Sequence, residues 1–470
     1  MNALPSSNGL SQRHVIPTNP RHAGCVMLLL GLIPASHIQA ANIRQIIPPQ
    51  FSSTGAVAAG NDLFKVQVQD PNHPNAICND GSPAIMYVRR AANVQNLNKW
   101  VIHLKGGGSC KTYQDCLDRW THNAPSSHFG GNVMSSDTSG AVGGGPVYVA
   151  PPGIAGLGIQ NRVNPANPFR SWNHVYAYYC SSDEWSGQAH NMTVANSTGA
   201  TYQIHFHGAD ILDAMIDRLR SGSVAYDSNG DERTDRQMPD LDTASLVLFT
   251  GNSAGANGVK TNADHLSAAL KAANANLRFG AVIDAAGNPD PRVYWPAGGV
   301  CLAPNNCLSY EQFVSEDWTL STANWLARSD DSCLAFHAPT GDQWRCADKS
   351  YLMLNHLSTP FFHRMDLQDE NGIDSWITYG FGTAEDYANA IRQQLLDLSA
   401  GIYGQAVTPQ VFGPICGNHV GIEANPPFFN QEIGSPNGPN YVNTLWAWTS
   451  GIYLPNTVGN WQVTRPVYCN

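Results

Sequence analysis

The segment Leu246-Val247-Leu248-Phe249-Thr250-Gly251-Asn252-Ser253-Ala254-Gly255-Ala256 runs an apolar stretch straight into Gly-x-Ser-x-Gly. A serine hydroxyl presented at a sharp strand-to-helix turn can act as an acyl-transfer nucleophile, and such a turn needs a strained backbone. The positions two residues to either side must lack a side chain, because the adjoining strand and helix crowd them. The turn also places the next backbone N–H, that of Ala254, at a helix N-terminus, where it can stabilise developing negative charge. The five-residue pattern alone often marks a plain turn. Its position between an apolar run and a helical segment is what points to nucleophilic catalysis.

A second feature supplies more of such a site. The stretch ending His103-Leu104 leads into Lys105-Gly106-Gly107-Gly108-Ser109-Cys110, whose glycines let backbone N–H groups come close to a ligand. In a hydrolase, Gly107 and Gly108 would donate to the oxyanion together with Ala254. A phosphate-binding loop would end in Gly-Lys-Ser/Thr, which is missing here. The serine also needs a base, and the base an orienting acid, in the chain order serine, acid, histidine for an α/β-hydrolase. Of sixteen histidines only His265, His337, His356, His363 and His419 follow Ser253. His265 falls about three turns along the helix after the serine. His337 precedes every candidate acid, and His356 and His363 lie in or near a strand-like stretch. His419 sits in a Gly/Asn loop after the strand-like Gln410-Val411-Phe412, beside Cys416, and is the expected base. Asp366, Asp369, Glu370 and Asp374 all follow the strand-like run from Pro360 to Met365, where catalytic acids of this architecture lie, and the residue types alone leave the choice open. Asp183 precedes the serine and reads as a structural cap of a turn.

These groups need a scaffold that sets strand ends side by side. Short β-branched or aromatic runs bounded by turn residues predict strands at Trp100 to Leu104, His174 to Tyr179, Ser245 to Thr250, Phe279 to Asp284 and Pro360 to Met365. Helical patterns lie between them, at Gly208 to Leu219 and at Ala256 to Ala273. Strands alternating with helices predict an α/β fold of α/β-hydrolase type: a mostly parallel sheet flanked by helices, with loop-rich insertions. The Gly/Ser/Pro-rich stretch from Asn123 to Asn167 reads as an ordered surface insertion within a single catalytic domain, residues 41–470.

Composition narrows the setting. Hydrophobic residues make up 42% and charged residues only 13% of the 470, which excludes a disordered or coiled-coil chain. Arg13 and Arg21, the apolar run from Cys25 to Ile33 and the small residues up to Ala40 have the order of a secretory signal peptide, expected over residues 1–40. That run is too short for a spanning helix, which needs about 20 residues, so no stable membrane insertion is expected. Loss of the leader removes Cys25 from the eleven cysteines and leaves an even number, which reads as five disulfides. Close spacing suggests the local pairs Cys110–Cys116, Cys301–Cys307 and Cys333–Cys346, and Cys180 is expected to pair with Cys78. No Cys-x-x-Cys occurs, so no metal site and no cofactor are expected. Asp227-Ser228-Asn229-Gly230-Asp231-Glu232-Arg233-Thr234-Asp235 resembles a calcium loop but lacks its glycine at position 6 and has Met238 at position 12, so a plain polar loop is the expectation. The net charge of −10, made more negative by loss of the two leader arginines, leaves no basic stripe for nucleic acid.

Four segments in order resemble the pectin acetylesterases, a family that includes the animal carboxylesterase Notum. They are Leu104-Lys105-Gly106-Gly107-Gly108-Ser109-Cys110, Tyr179-Cys180-Ser181-Ser182-Asp183-Glu184-Trp185-Ser186-Gly187, Gly251-Asn252-Ser253-Ala254-Gly255 and Pro414-Ile415-Cys416-Gly417-Asn418-His419. Tyr-Cys-Ser-Ser-Asp-x-Trp-Ser-Gly is the most specific. The resemblance implies a triad of Ser253, Asp369 and His419, with Asp366 the alternative acid, because the family's aspartate lies nine residues beyond a strand-opening proline such as Pro360. It also implies a secreted serine esterase, monomeric, acting on acetyl esters of a pectin-like polysaccharide or on another ester. A fatty-acyl carboxylesterase and a non-catalytic carbohydrate-binding relative are the alternatives. Trp120, Trp185 and Trp376 are available as sugar platforms, although tryptophan is more often core. Two positions depart from the family: Lys105, where it commonly has an acid, and Ser109, where it commonly has an aromatic residue.

Overall fold

The computed structural model describes residues 41–42, 60–121, 134–137, 149–303, 306–433 and 438–460. The expected leader, and those parts of the 123–167 insertion between 122 and 133 and between 138 and 148, lie outside them.

Alternation along the central strands sets the layering. In Leu246–Asn252, Val247 and Phe249 enter one hydrophobic core while Leu246 and Leu248 enter a second, on the other face. A strand covered on both faces has every residue buried, as here. Nine strands form the sheet: β1 (Leu63–Gln67), β2 (Ile85–Arg89), β3 (Lys99–Leu104), β4 (Gly153–Ile154), β5 (Asn173–Ala177), β6 (Leu246–Asn252), β7 (Arg278–Asp284), β8 (Phe361–Arg364) and β9 (Gln410–Phe412). Their spatial order is β9-β8-β7-β6-β3-β5-β2-β1-β4. The six from β9 to β5 are parallel, and β2, β1 and β4 continue the sheet antiparallel. The five strands read from the sequence are all in the parallel block. The three antiparallel ones were not anticipated, since Leu63–Gln67 mixes Lys and Gln into its pattern and Gly153–Ile154 is two residues long.

Helices around the sheet include α1 (Tyr113–Thr121), α2 (Gly208–Arg220), α3 (Ala254–Ala273), α4 (Tyr310–Leu320), α5 (Lys349–Asn355), α6 (Glu370–Thr378), α7 (Ala384–Ser399) and α8 (Tyr441–Thr449). Helices α2 and α3 bury Ile211, Met215, Leu219, Val259, Leu266 and Leu270 against one face of the sheet, and α8 buries Tyr441 and Leu445 against the other. Chain progression moves outward from β3 in one direction through β5 and in the other through β6, β7, β8 and β9. The β3–β6 junction is therefore the switch point at which ligands of open α/β sheets bind, beyond the strands' carboxyl ends.

Cys78–Cys180, Cys110–Cys116, Cys301–Cys307 and Cys333–Cys346 are disulfides, as expected. Cys416 is also disulfide-bonded, and Cys469 lies outside the described residues. In the 227–235 loop the carboxylates are turned onto their own backbone: Asp227 accepts from the N–H groups of Asn229, Gly230 and Glu232, and Asp231 from that of Arg233.

Candidate active site

Ser253 stands between β6 and α3 with φ 52° and ψ −125°, a conformation that L-residues rarely adopt. The flanking glycines are there for space. A Cβ on Gly251 would lie 2.4 Å from the Gly255 carbonyl oxygen, and one on Gly255 would lie 2.1 Å from that of Leu104. Strain of this kind costs on the order of 1–3 kcal/mol and persists only where the surroundings enforce it. Here β3 and β7 do so from either side, the Ser253 N–H donating to the carbonyl of Asp284 at 2.9 Å.

His419 Nε2 lies 2.9 Å from Ser253 Oγ. Its Nδ1 lies 2.9 and 3.1 Å from the two carboxylate oxygens of Asp369. Because the carboxylate can only accept, Nδ1 carries the proton and Nε2 presents its lone pair to the serine. Asp369 is fully buried and caps α6 through the Gly372 N–H at 2.8 Å, so its orientation is set by backbone. Asp366, the alternative acid, faces elsewhere. Its oxygens take Arg364 and the Gln431 amide, and burial pushes its pKa up to about 7 despite Arg364. Fully buried Arg364 also donates to Asp284 at 3.0 Å and to the carbonyls of Asn418 and His419. Asp284 in turn accepts from the N–H groups of Gly421 and Ile422, both at 2.9 Å. This buried ion cluster holds the histidine loop. The sequence reading missed Arg364 and Asp284, although their places at the matched ends of β8 and β7 were a usable signal.

Of the remaining histidines, His265 is exposed and His363 is buried within β8. His337 is held by Asp342 and Tyr351.

Gly106 packs against the serine turn, where a Cβ would come within 2.4 Å of the Asn252 carbonyl oxygen. Gly107 and Gly108 both have positive φ, 146° and 67°. Among the described residues no acceptor is bonded to their N–H groups or to that of Ala254. The Tyr179–Gly187 segment braces this loop. The Tyr179 hydroxyl donates to the Gly108 carbonyl at 2.8 Å, Trp185 Nε1 to the Lys105 carbonyl at 3.0 Å, and the Cys110 N–H to the Ser182 carbonyl at 3.0 Å. Asp183 is a buried cap, accepting from Ser181, Trp185, Gly187 and the N-terminal Gly208 of α2. From behind the loop, Lys105 pairs with Glu423, and His103 Nε2 lies 3.1 Å from both Glu423 and Asn252. Burial acts to raise the Glu423 pKa, but Lys105 and His103 outweigh it and pull it to about 2. Lys105 thus anchors the glycine loop to the chain just past His419, and Ser109 hydrogen-bonds Glu184 at 3.2 Å.

Ser253, Ala254, Gly108, Asp369 and His419 open onto a cavity of about 460 Å³. Its lining combines an aromatic group, Trp295, Phe313, Trp376 and Phe381, packed on one another, with polar residues such as Lys111, Glu184, Asn257 and Lys260. Of the three tryptophans considered as platforms, Trp376 lines this cavity, whereas Trp185 is wholly buried beneath α3 and Trp120 packs into a separate cluster with α1. Trp185 is core because Gly258 leaves room for it on α3.

Residues 58–230 match the family model described as pectinacetylesterase, a stretch that carries the glycine loop and the Tyr179–Gly187 segment but stops short of Ser253. The chain is 28% identical over 305 residues to palmitoleoyl-protein carboxylesterase NOTUM of Schmidtea mediterranea, covering 64% of this chain and 47% of that protein. It is 25% identical over 155 residues to pectin acetylesterase 11 of Arabidopsis thaliana, 33% of each chain. The structure of the Wnt deacylase Notum from Drosophila superposes with a TM-score of 0.60 at 22% identity, covering 85% of this chain and 97% of that one. The chain spans about half the length or less of the curated relatives it matches. The fold is that of the Notum structure.

Proposed function

We propose that the chain, which is similar to the pectinacetylesterase family over residues 58–230 and to Notum carboxylesterases, is a secreted serine carboxylic ester hydrolase. The observation that carries the reading is the chain of contacts from Ser253 through His419 to Asp369. Ser253 Oγ attacks the ester carbonyl while His419 Nε2 takes its proton, and the N–H groups of Gly107, Gly108 and Ala254 receive the oxyanion. As the C–O bond breaks, His419 returns the proton to the leaving alcohol. Water then repeats the sequence on the acyl-enzyme and releases the acid. Asp369 keeps the imidazole in the required tautomer and stabilises it when protonated.

The substrate we favour is an acetyl ester on a pectin-like polysaccharide, supported by the pectin acetylesterase relative and by the polar residues that line the cavity. The aromatic lining residues and the activity for which the Notum relatives are named favour a second reading, a fatty-acyl ester. A p-nitrophenyl ester series separates the two. Acetate is expected to be cleaved with a kcat/KM about tenfold or more above octanoate, and the reverse order would replace the first reading by the second. Export through residues 1–40 and action as a monomer belong to the same proposal. It is in keeping with the disulfides, and among the described residues no helix is long and apolar enough to cross a membrane.

The bracing of the glycine loop has a measurable consequence. Tyr179→Phe removes the bond to the Gly108 carbonyl and leaves the Glu184 N–H without its acceptor. A displaced oxyanion donor is expected to lower kcat about tenfold, the equivalent of about 1.4 kcal/mol, with KM little changed because the bond forms in the transition state. Steady-state kinetics on p-nitrophenyl acetate check this, and an unchanged kcat would show that the loop holds its shape alone.

A further inference from the structure

Ser253, Asn257 and Lys260 fall at i, i+4 and i+7, on one face of α3, and all three line the cavity. Lys260 stands two turns from the nucleophile, about 10 Å along the helix. It is almost wholly buried, and among the described residues no carboxylate comes within ion-pair distance of it; its Nζ donates only to Asn257 Oδ1, at 3.3 Å. Lys349, at the start of α5, lines the same cavity and donates to the Thr261 hydroxyl at 2.9 Å, also without a carboxylate partner among the described residues. An ammonium has three donors and no acceptor, so each of these lysines keeps donors unused.

The acids that line this cavity are already committed. Asp317 pairs with Lys111. Asp348 caps α5 through the Ser350 and Tyr351 N–H groups and accepts from the Tyr310 hydroxyl. Glu184 takes Ser109 and Asn257. Burial pulls the Lys260 pKa down to about 7, although Asp348 and Glu184 act to raise it. A buried amine with open donors, facing a cavity that also holds the reactive serine, is a built site for an anion.

We propose that Lys260 and Lys349 form an anion-recognition subsite, so that the preferred ester carries a carboxylate. This rests on the esterase reading and names the class of ester. The carboxylate can belong to the acyl group or to the alcohol, and two pairs of probes distinguish these sources. Phenyl hydrogen glutarate against phenyl hexanoate tests the acyl side, and 4-acetoxybenzoate against phenyl acetate tests the alcohol side.

The wild-type protein is expected to favour the anionic member of one pair by about tenfold in kcat/KM. Lys260→Met is expected to collapse that ratio about tenfold and Lys349→Met by about threefold, while Lys260→Arg restores most of it. A merely structural lysine would lower both members of a pair together and leave the ratio unmoved. No anionic preference in either pair, or a ratio that survives both methionine variants, would overturn the proposal while leaving the esterase reading intact. Failure of the wild type to cleave any of the four esters would instead sink that reading. Titration calorimetry with free glutarate then decides the subsite by itself: binding by the wild type that is lost in Lys260→Met supports it, and no binding refutes it.

Discussion

Replacing Ser253 with alanine is expected to lower kcat for ester hydrolysis by roughly 10⁶-fold, the scale set by removal of the serine from a Ser-His-Asp triad. The size of the effect reflects the groups that remain. Without Oγ no acyl-enzyme can form, and the N–H groups at Gly107, Gly108 and Ala254 can only polarise a carbonyl for attack by water. The backbone turn should survive, because the positive φ at 253 is enforced by β3, by β7 and by the space left at Gly251 and Gly255, none of which involves the hydroxyl. Circular dichroism and thermal unfolding are therefore expected to match the wild type. A fluorophosphonate probe, which reports an activated serine, should label the wild type at Ser253 and leave Ser253→Ala unlabelled. Retention of activity within tenfold would place the nucleophile elsewhere.

The serine turn was legible because its demands are local. Two glycines, an apolar strand and a helix start must be consecutive in the chain, and Leu246 to Ala256 displays them all. The parallel block of the sheet was legible for a related reason, since strands buried on both faces are uninterrupted apolar runs. Groups that act across the fold leave no such trace. Arg364 lies 55 residues from the His419 carbonyl it supports, and Glu423 lies 320 residues from His103; each looks like an ordinary charged residue until the sheet brings the strand ends together. Lys260 was overlooked because helical periodicity drew attention to the face of α3 that packs on the sheet, carrying Val259, Leu266 and Leu270. The polar stripe at 253, 257 and 260 has meaning only once Ser253 is known to face a cavity. Lys105, an oddity in sequence, is explained by a partner downstream of the catalytic histidine.

The two candidate acids lie three residues apart, and their environments predict opposite outcomes on substitution. Asp369→Asn should leave the buried volume nearly unchanged and can keep a cap on the Gly372 N–H through its carbonyl oxygen. What it removes is the acceptor that holds the proton on His419 Nδ1. An amide can offer its NH₂ to that nitrogen and stabilise the opposite tautomer, with the proton on Nε2, where it cannot accept from Ser253. The expected loss in kcat is about 10⁴-fold with folding intact. Asp366→Asn is expected to cost less than tenfold. The amide keeps the volume and an acceptor oxygen for Arg364, Asp366 makes no contact with His419, and Arg364 keeps the Asp284 carboxylate at 3.0 Å. Its effect should appear first in thermal stability, through the loop that Arg364 and Gln431 hold. Steady-state kinetics on p-nitrophenyl acetate with both variants decide between the acids, and a larger loss from Asp366→Asn than from Asp369→Asn would reverse the assignment.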